Sequence, residues 1–128
     1  MLLGEVVFLH PIESISLDTG AFQTSVFQSG ASNALAYADD LFEDFIVCLS
    51  AVEASWSAGE FDRLSSQAEM MVALSENLGL TQSALVARHL TMLIGSRDEV
   101  ALAAVVSRAV RVGEASLASV LEFAYHRI

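Results

Sequence analysis

A single proline, Pro11, occurs in the 128 residues of the chain, together with only seven glycines. Proline breaks a helix because it lacks the backbone donor and clashes with the preceding turn, and glycine often ends a helix. Long stretches of this chain therefore contain no residue that would interrupt a helix. Because the glycines lie mostly at the edges of apolar segments, the sequence predicts long helices with short connections.

Four segments of the chain repeat apolar residues every three or four positions, which is the spacing of one helix face. They are residues 32–57, residues 60–78, residues 81–94 and a last segment that begins after Ser96. The side chains expected to be buried are Phe42, Phe45, Leu49, Leu64, Met71, Leu90 and Val105. The prediction is an all-α protein, an up-down antiparallel four-helix bundle.

Local signals predict the ends of these helices. Ser96-Arg97-Asp98-Glu99 has the form of a capping box, which predicts Ser96 as the N-cap of the last helix. Thr81 is the predicted cap of the helix before it, and Gly79 is expected to end the second segment in the left-handed conformation. Gly113 costs about 1 kcal/mol relative to alanine within a helix, so the last helix can bend or split there.

The first part of the chain departs from the helical pattern. Residues 1–15 read as an extended segment, since the apolar stretch 6–9 is followed directly by His10-Pro11. Residues 17–27 predict a short first helix with Asp18 as its cap. We therefore divide the chain into an N-terminal segment, residues 1–15, and a helical domain, residues 16–128.

The charge of the chain restricts its partners. The net charge is −10, lysine is absent, and the six cations are all arginines from Arg63 onward. Nucleic acids and anionic lipid surfaces bind several cations on one face, so neither is an expected partner. The apolar stretches are also far shorter than the roughly 20 residues that span a membrane. These features predict a cytoplasmic protein whose partner is another protein.

The sequence contains no recognisable catalytic or cofactor-binding motif. The glycine spacings of nucleotide-binding loops, G-x-S-x-G and H-E-x-x-H are all missing. His10, His89 and His126 lie far apart and complete no known metal motif. The expectation is a non-enzymatic protein with no cofactor and no metal.

Two further groups of polar residues have structural interpretations. The lone cysteine, Cys48, has apolar neighbours at helical spacing, which favours a buried small side chain over a reactive thiol. An acidic stretch of the first long segment lacks the loop and glycine of an EF-hand and is interpreted as a solvated helix face. Its members are Asp39, Asp40, Glu43 and Asp44.

The order of the segments carries a resemblance to a known family. Residues 41–45 read Leu-Phe-Glu-Asp-Phe, and residues 68–79 read Ala-Glu-Met-Met-Val-Ala-Leu-Ser-Glu-Asn-Leu-Gly. The second stretch resembles the A-H-x-x-K-G-x-x-x-x-L-G motif of histidine-containing phosphotransfer domains, and Val86 and Leu90 follow at that family's spacing. The resemblance spans roughly residues 16–125 and implies that residues 17–27 form a short N-terminal covering helix.

The departures from that motif bear on function. Glu69 occupies the position of the phosphate-accepting histidine, Val72 that of the lysine, and Ala73 that of the glycine. The resemblance therefore implies a degenerate domain of bacterial two-component signalling that does not relay phosphate through this site. Its partner would be a response-regulator receiver domain or a sensor kinase. The expected partner-binding residues are Ser65, Ser66, Glu69, Val72, Ala73 and Glu76, with the facing part of the preceding helix.

Two other readings stay open at this point. The chain can be an unrelated helical protein–protein adaptor or a homodimer with no role in a phosphorelay. In the enzyme class, it can be a phosphotransferase that uses His89, the one histidine within the expected bundle.

Overall fold

The computed structural model describes residues 34–126. Of these residues 90% are helical, and no strand is present among them. The four helices are α1 (Ala34–Ala58), α2 (Phe61–Asn77), α3 (Thr81–Ile94) and α4 (Glu99–His126). The predicted extended segment 1–15 and the predicted helix 17–27 lie outside the described residues.

The four helices pack as a ring around one core. α1 contacts α2, α2 contacts α3, α3 contacts α4, and α4 closes the ring against α1. All seven residues expected in the core are buried: Phe42, Phe45, Leu49, Leu64, Met71, Leu90 and Val105. The predicted four-helix bundle is thus confirmed. Within residues 34–126, no helix combines the length and apolar character needed to cross a membrane.

Glycines end the first two helices in the same way. Gly59 and Gly79 have φ angles of 70° and 73°, in the left-handed region predicted for Gly79. The N–H of Gly79 donates to the carbonyl oxygen of Glu76 at 3.1 Å, and the N–H of Leu80 donates to that of Ser75 at 2.8 Å. This pair of bonds is the Schellman motif, and it lets α3 turn back against α2 after three residues.

The caps of α3 and α4 differ from the prediction. Leu80 is the N-cap of α3, and Thr81 is already its first helical residue. At α4, the carboxylate of Asp98 accepts a hydrogen bond of 3.1 Å from the N–H of the third helical residue. The hydroxyl of Ser96 instead donates to the carbonyl oxygen of Leu93 at the end of α3, at 2.7 Å. Ser96 therefore closes the preceding helix, and Asp98 opens the next one.

In the connection between α3 and α4, the residue with a left-handed backbone conformation is an arginine. Gly95 remains in the right-handed helical region with φ −68°, and Arg97 has φ 58°. A left-handed conformation is costly for residues other than glycine. The guanidinium carbon of Arg97 lies 5.5 Å from the ring centroid of Phe61 in α2, a cation–π contact that favours this conformation.

Gly113 does not split the last helix. α4 continues through it without a break, and Gly113 is buried against α1. A β-carbon placed at Gly113 would lie 2.6 Å from Cδ2 of Leu49 and 3.3 Å from Cε of Met71. The missing side chain thus allows close packing of α4 against α1, which offsets the low helix propensity of glycine.

A pair of buried serines links α2 to α3. The hydroxyl oxygens of Ser75 and Ser83 lie 2.9 Å apart, and both residues are fully buried. Each hydroxyl satisfies the other in a region where water cannot.

Removal of one member of this pair is expected to destabilise the protein more than removal of both. Ser75→Ala leaves the hydroxyl of Ser83 buried without its partner, which costs about 1–3 kcal/mol. In Ser75→Ala/Ser83→Ala neither hydroxyl remains, so most of that penalty disappears. Urea unfolding of the two single variants and the double variant measures the coupling. Additive losses would contradict the interaction.

Candidate docking surface on α2

Glu69 lies at the centre of α2 and is exposed. The core side of the helix is defined by Leu64, Ala68 and Met71, all of which are buried. Glu69 follows Leu64 by five residues, which turns it about 140° away from that side at 3.6 residues per turn. Glu69 therefore has the exposure that a partner-binding residue requires.

The other residues expected on this surface divide into two groups. Ser66, Ala73 and Glu76 are exposed like Glu69, and we call these four residues the α2 face. Ser65 and Val72 are half-buried, and Val72 packs against the core. The α2 face therefore presents two carboxylates, a hydroxyl and a methyl group.

The helix beside the α2 face is α3. Arg88 of α3 forms an ion pair with Glu76, which fixes that edge of α2 against α3. On the other edge, the thiol of Cys48 in α1 donates to the carbonyl oxygen of Gln67 at 3.3 Å. The facing part of α1, which contacts α2, stays a predicted part of the surface. The ion pair places α3 next to Glu76 as well.

Sequence reasoning missed the apolar part of this region. Leu85 and Met92 of α3 are 55% and 76% exposed. They are seven residues apart and so lie on one side of α3, with Arg88 between them. Leu85 and Arg88 also line a groove of about 370 Å³ that α2 bounds with Glu76. The signal was present in the sequence as two large apolar residues on the polar side of an amphipathic helix.

The described carboxylates and His89 are exposed on the surface of the bundle. Among the described residues, no three His, Cys, Asp or Glu side chains come together as a set that could hold a metal ion. The acidic residues of α1 are exposed, as expected of a solvated face: Asp39, Asp40, Glu43 and Asp44. His89, the candidate nucleophile of the enzymatic reading, is an exposed residue of α3.

The fold changes the ionisation of Cys48. It is 1% exposed, and desolvation raises the pKa of its thiol from the usual 9.0 to about 11. The thiol is therefore protonated at neutral pH and donates to the backbone of α2. The expected burial of Cys48 is confirmed.

The stability of the protein is expected to fall at alkaline pH because of Cys48. The raised pKa means that the folded state holds its proton where the unfolded state releases it. The contribution is fully present below pH 9 and is lost as pH rises toward 11. Urea midpoints measured across this interval should fall more steeply for the parent protein than for Cys48→Ala. Parallel pH profiles would contradict the shift.

Comparison with known proteins gives no relative. Neither the protein-family models, nor the curated proteins, nor the solved structures contain a significant match to this chain.

Proposed function

We propose that this chain is a non-catalytic, phosphotransfer-like binding module that docks a response-regulator receiver domain in the cytoplasm. The observation that carries the proposal is the placement of Glu69. It stands exposed at the centre of α2, at the position that the resemblance gives to a phosphate-accepting histidine. Receiver docking needs an accessible helix face at this position, and the α2 face is accessible.

The chemistry of the α2 face favours binding over phosphate transfer. A carboxylate at position 69 does not supply the imidazole nitrogen that a phosphohistidine requires. Val72 replaces the lysine that would attract the incoming phosphate, and it is turned partly into the core. Arg88, the cation at the edge of the surface, is already paired with Glu76.

The apolar side chains of α3 give this surface its binding energy in the proposal. Protein interfaces combine apolar contact with a polar rim. Leu85 and Met92 supply exposed apolar area beside the α2 face, and Glu69, Glu76 and Arg88 supply the charged groups. The docking surface is therefore the seam of α2 and α3 rather than α2 alone.

We expect that the protein acquires no acid-labile phosphate when it is incubated with a phosphorylated receiver domain or with acetyl phosphate. Glu69 provides no suitable nucleophile, and Val72 provides no cation. Ala73 does not leave the space that a glycine would leave at that position. Radiolabelled phosphate, followed by acid and alkaline treatment of the protein, measures the result. Label on His89, lost in His89→Gln, would contradict the proposal and favour a phosphotransferase.

Receiver docking is tested by a matched pair of alanine-to-arginine variants. Ala73 lies on the α2 face, and Ala104 is exposed on α4, which is diagonal to α2 in the bundle. Arginine has nearly the helix propensity of alanine, so neither variant should unfold the protein. Titration calorimetry with receiver domains of the source organism should show a loss of at least about tenfold in affinity for Ala73→Arg alone. Equal behaviour of the two variants would contradict docking at this face.

The alternative function is an adaptor or homodimer with no role in a phosphorelay. The exposure of Leu85 and Met92 favours it, because two large apolar side chains on one helix face are also what a symmetric helix–helix contact uses. Sedimentation of the parent protein and of Met92→Glu distinguishes the two functions. A dimer that Met92→Glu dissociates, with no receiver binding at any concentration, would replace the proposed function.

A further inference from the structure

A groove follows the contact between α1 and α4, on the side of the bundle opposite the α2–α3 seam. Its apolar lining comes from both helices: Ile46, Leu49, Val110 and Leu117. Glu53 of α1 and Glu114 of α4 also line it, one from each side. The cavity volume is about 190 Å³. An open depression of this size between two helices accommodates single side chains of a protein partner.

The groove continues along the two helices. A second depression shares Glu53, Val110 and Glu114 with the first and extends to Trp56 at the end of α1. From Ile46 to Trp56 the distance along α1 is about 15 Å, at 1.5 Å per residue. We call this whole depression the α1–α4 groove. Its length matches about three turns of a helix laid between α1 and α4.

A half-exposed apolar residue marks one end of the groove. Ile46 is 49% exposed and stands beside the buried Leu49, which packs against Gly113. The close approach of α4 to α1 at Gly113 buries Leu49, but about half of Ile46 stays exposed. A partner side chain that covered Ile46 would remove this apolar surface from water.

The rim of the groove on α1 is acidic. Glu43 precedes Ile46 by three residues and Glu53 follows it by seven, so all three lie on the same side of α1. Residues 34–58 contain no lysine or arginine. Glu114 adds a carboxylate from α4. Among the residues that line the two depressions, Arg111 is the one cation, and it lines only the depression toward Trp56.

We infer that the α1–α4 groove binds a cationic amphipathic helix of a partner protein. An apolar residue of that helix would cover Ile46, and its lysines or arginines would lie against Glu53 and Glu114. Helix-in-groove recognition joins an apolar stripe to flanking charges in this way. Because the groove is opposite the α2–α3 seam, the module would hold two partners at once.

Charge favours a cationic helix over two other possible occupants of the groove, residues 1–33 and a second copy of the chain. Residues 1–33 carry three acids and no lysine or arginine, so they offer no complement to the rim. A second copy of the chain brings a net charge of −10 to an acidic surface. Like charges brought together at an interface oppose association, whereas a cationic helix gains from the same rim.

The inference is tested with a fluorescent 14-residue helical peptide of leucine and lysine, with leucines at i, i+3, i+4 and i+7. Full-length protein should bind this peptide with an affinity that weakens as salt is added. Glu53→Gln/Glu114→Gln should reduce the affinity about tenfold, since two exposed ion pairs are lost. The control, Asp62→Asn/Glu69→Gln, removes the same charge from α2 and should change the affinity less than about twofold.

A second matched pair tests the apolar contact. Ile46→Ser should reduce the peptide affinity about fivefold or more, and Val47→Ser should leave it nearly unchanged. Val47 is 66% exposed on the neighbouring position of α1 but does not line the groove. Both positions are exposed enough that circular dichroism should show intact bundles.

Several results would overturn the inference. Equal losses in the two double variants would show attraction to net charge alone, and equal losses in the two serine variants would place the peptide elsewhere. Absence of peptide binding at low salt would also overturn it. So would a homodimer in which the cysteine of Ile46→Cys forms a disulfide bond between the two copies. The peptide assay contains no receiver domain, so failure of receiver docking and failure of groove binding are separately visible.

Discussion

Phe45→Ala is expected to lower the free energy of unfolding by about 4 kcal/mol, the largest effect of any single substitution considered for this bundle. Phe45 is 0% exposed at the centre of α1, within the core that all four helices form. Truncation removes the transfer free energy of the ring and leaves a cavity that the surrounding helices only partly fill. A loss of this size is a large share of the roughly 5–15 kcal/mol that stabilises a domain.

Urea unfolding measures this loss, with Val47→Ala as the matched control. Val47 is two residues away on the same helix and 66% exposed, so its truncation should change stability by less than about 0.5 kcal/mol. The slope of the transition should stay constant if both variants unfold in one step. Similar losses for the two variants would mean that α1 does not present Phe45 to the core.

Gly113→Leu is expected to destabilise the protein by about 2 kcal/mol, although leucine is the better helix former. The first carbon of the new side chain would lie 2.6 Å from Cδ2 of Leu49, so α4 has to move away from α1. Overpacking costs about 1–3 kcal/mol, and a whole leucine side chain at this contact is expected to reach the upper end of that range. It outweighs the gain of about 1 kcal/mol from replacing glycine within a helix.

Gly95→Ala is the control for glycine replacement itself. Gly95 has a helical φ of −68°, and no atom lies within 4 Å of an added β-carbon. This variant should gain about 0.5–1 kcal/mol because it restricts the unfolded chain. Leu49→Ala, combined with Gly113→Leu, should recover part of the loss by making room for the new side chain. Stabilisation by Gly113→Leu alone would show that α4 does not pack closely on α1.

The local sequence was sufficient for the helices and for their inward faces. Apolar residues at a period near 3.6 identify the buried side without knowledge of any neighbour, which is why Phe45, Leu64 and Leu90 were predicted to be buried and are. The left-handed conformation of Gly79 was also predictable from the local sequence, because a left-handed helix end favours glycine whatever it packs against. The exposure of Glu69 followed from its angle to Leu64 on the same helix.

Capping and the roles of small residues required the tertiary structure. Ser96 and Asp98 both fit a helix start, and the position of α3 decides which of them caps α4. A glycine within a helix can either break that helix or let another helix approach closely. At Gly113 only the position of Leu49 distinguishes these two roles. Arg97 adopts a left-handed conformation although it is not a glycine, and only the tertiary structure places its guanidinium group over the ring of Phe61.

The candidate surfaces were likewise determined in part by the sequence and in part by the tertiary structure. The sequence determined the centre of the α2 face, because exposure depends on position within one amphipathic helix. It did not determine that α3 completes this face with Leu85 and Met92, or that α1 and α4 enclose a groove around Ile46. A surface made by two helices depends on how they are arranged around the core, and a one-dimensional pattern carries only the periodicity of each helix alone.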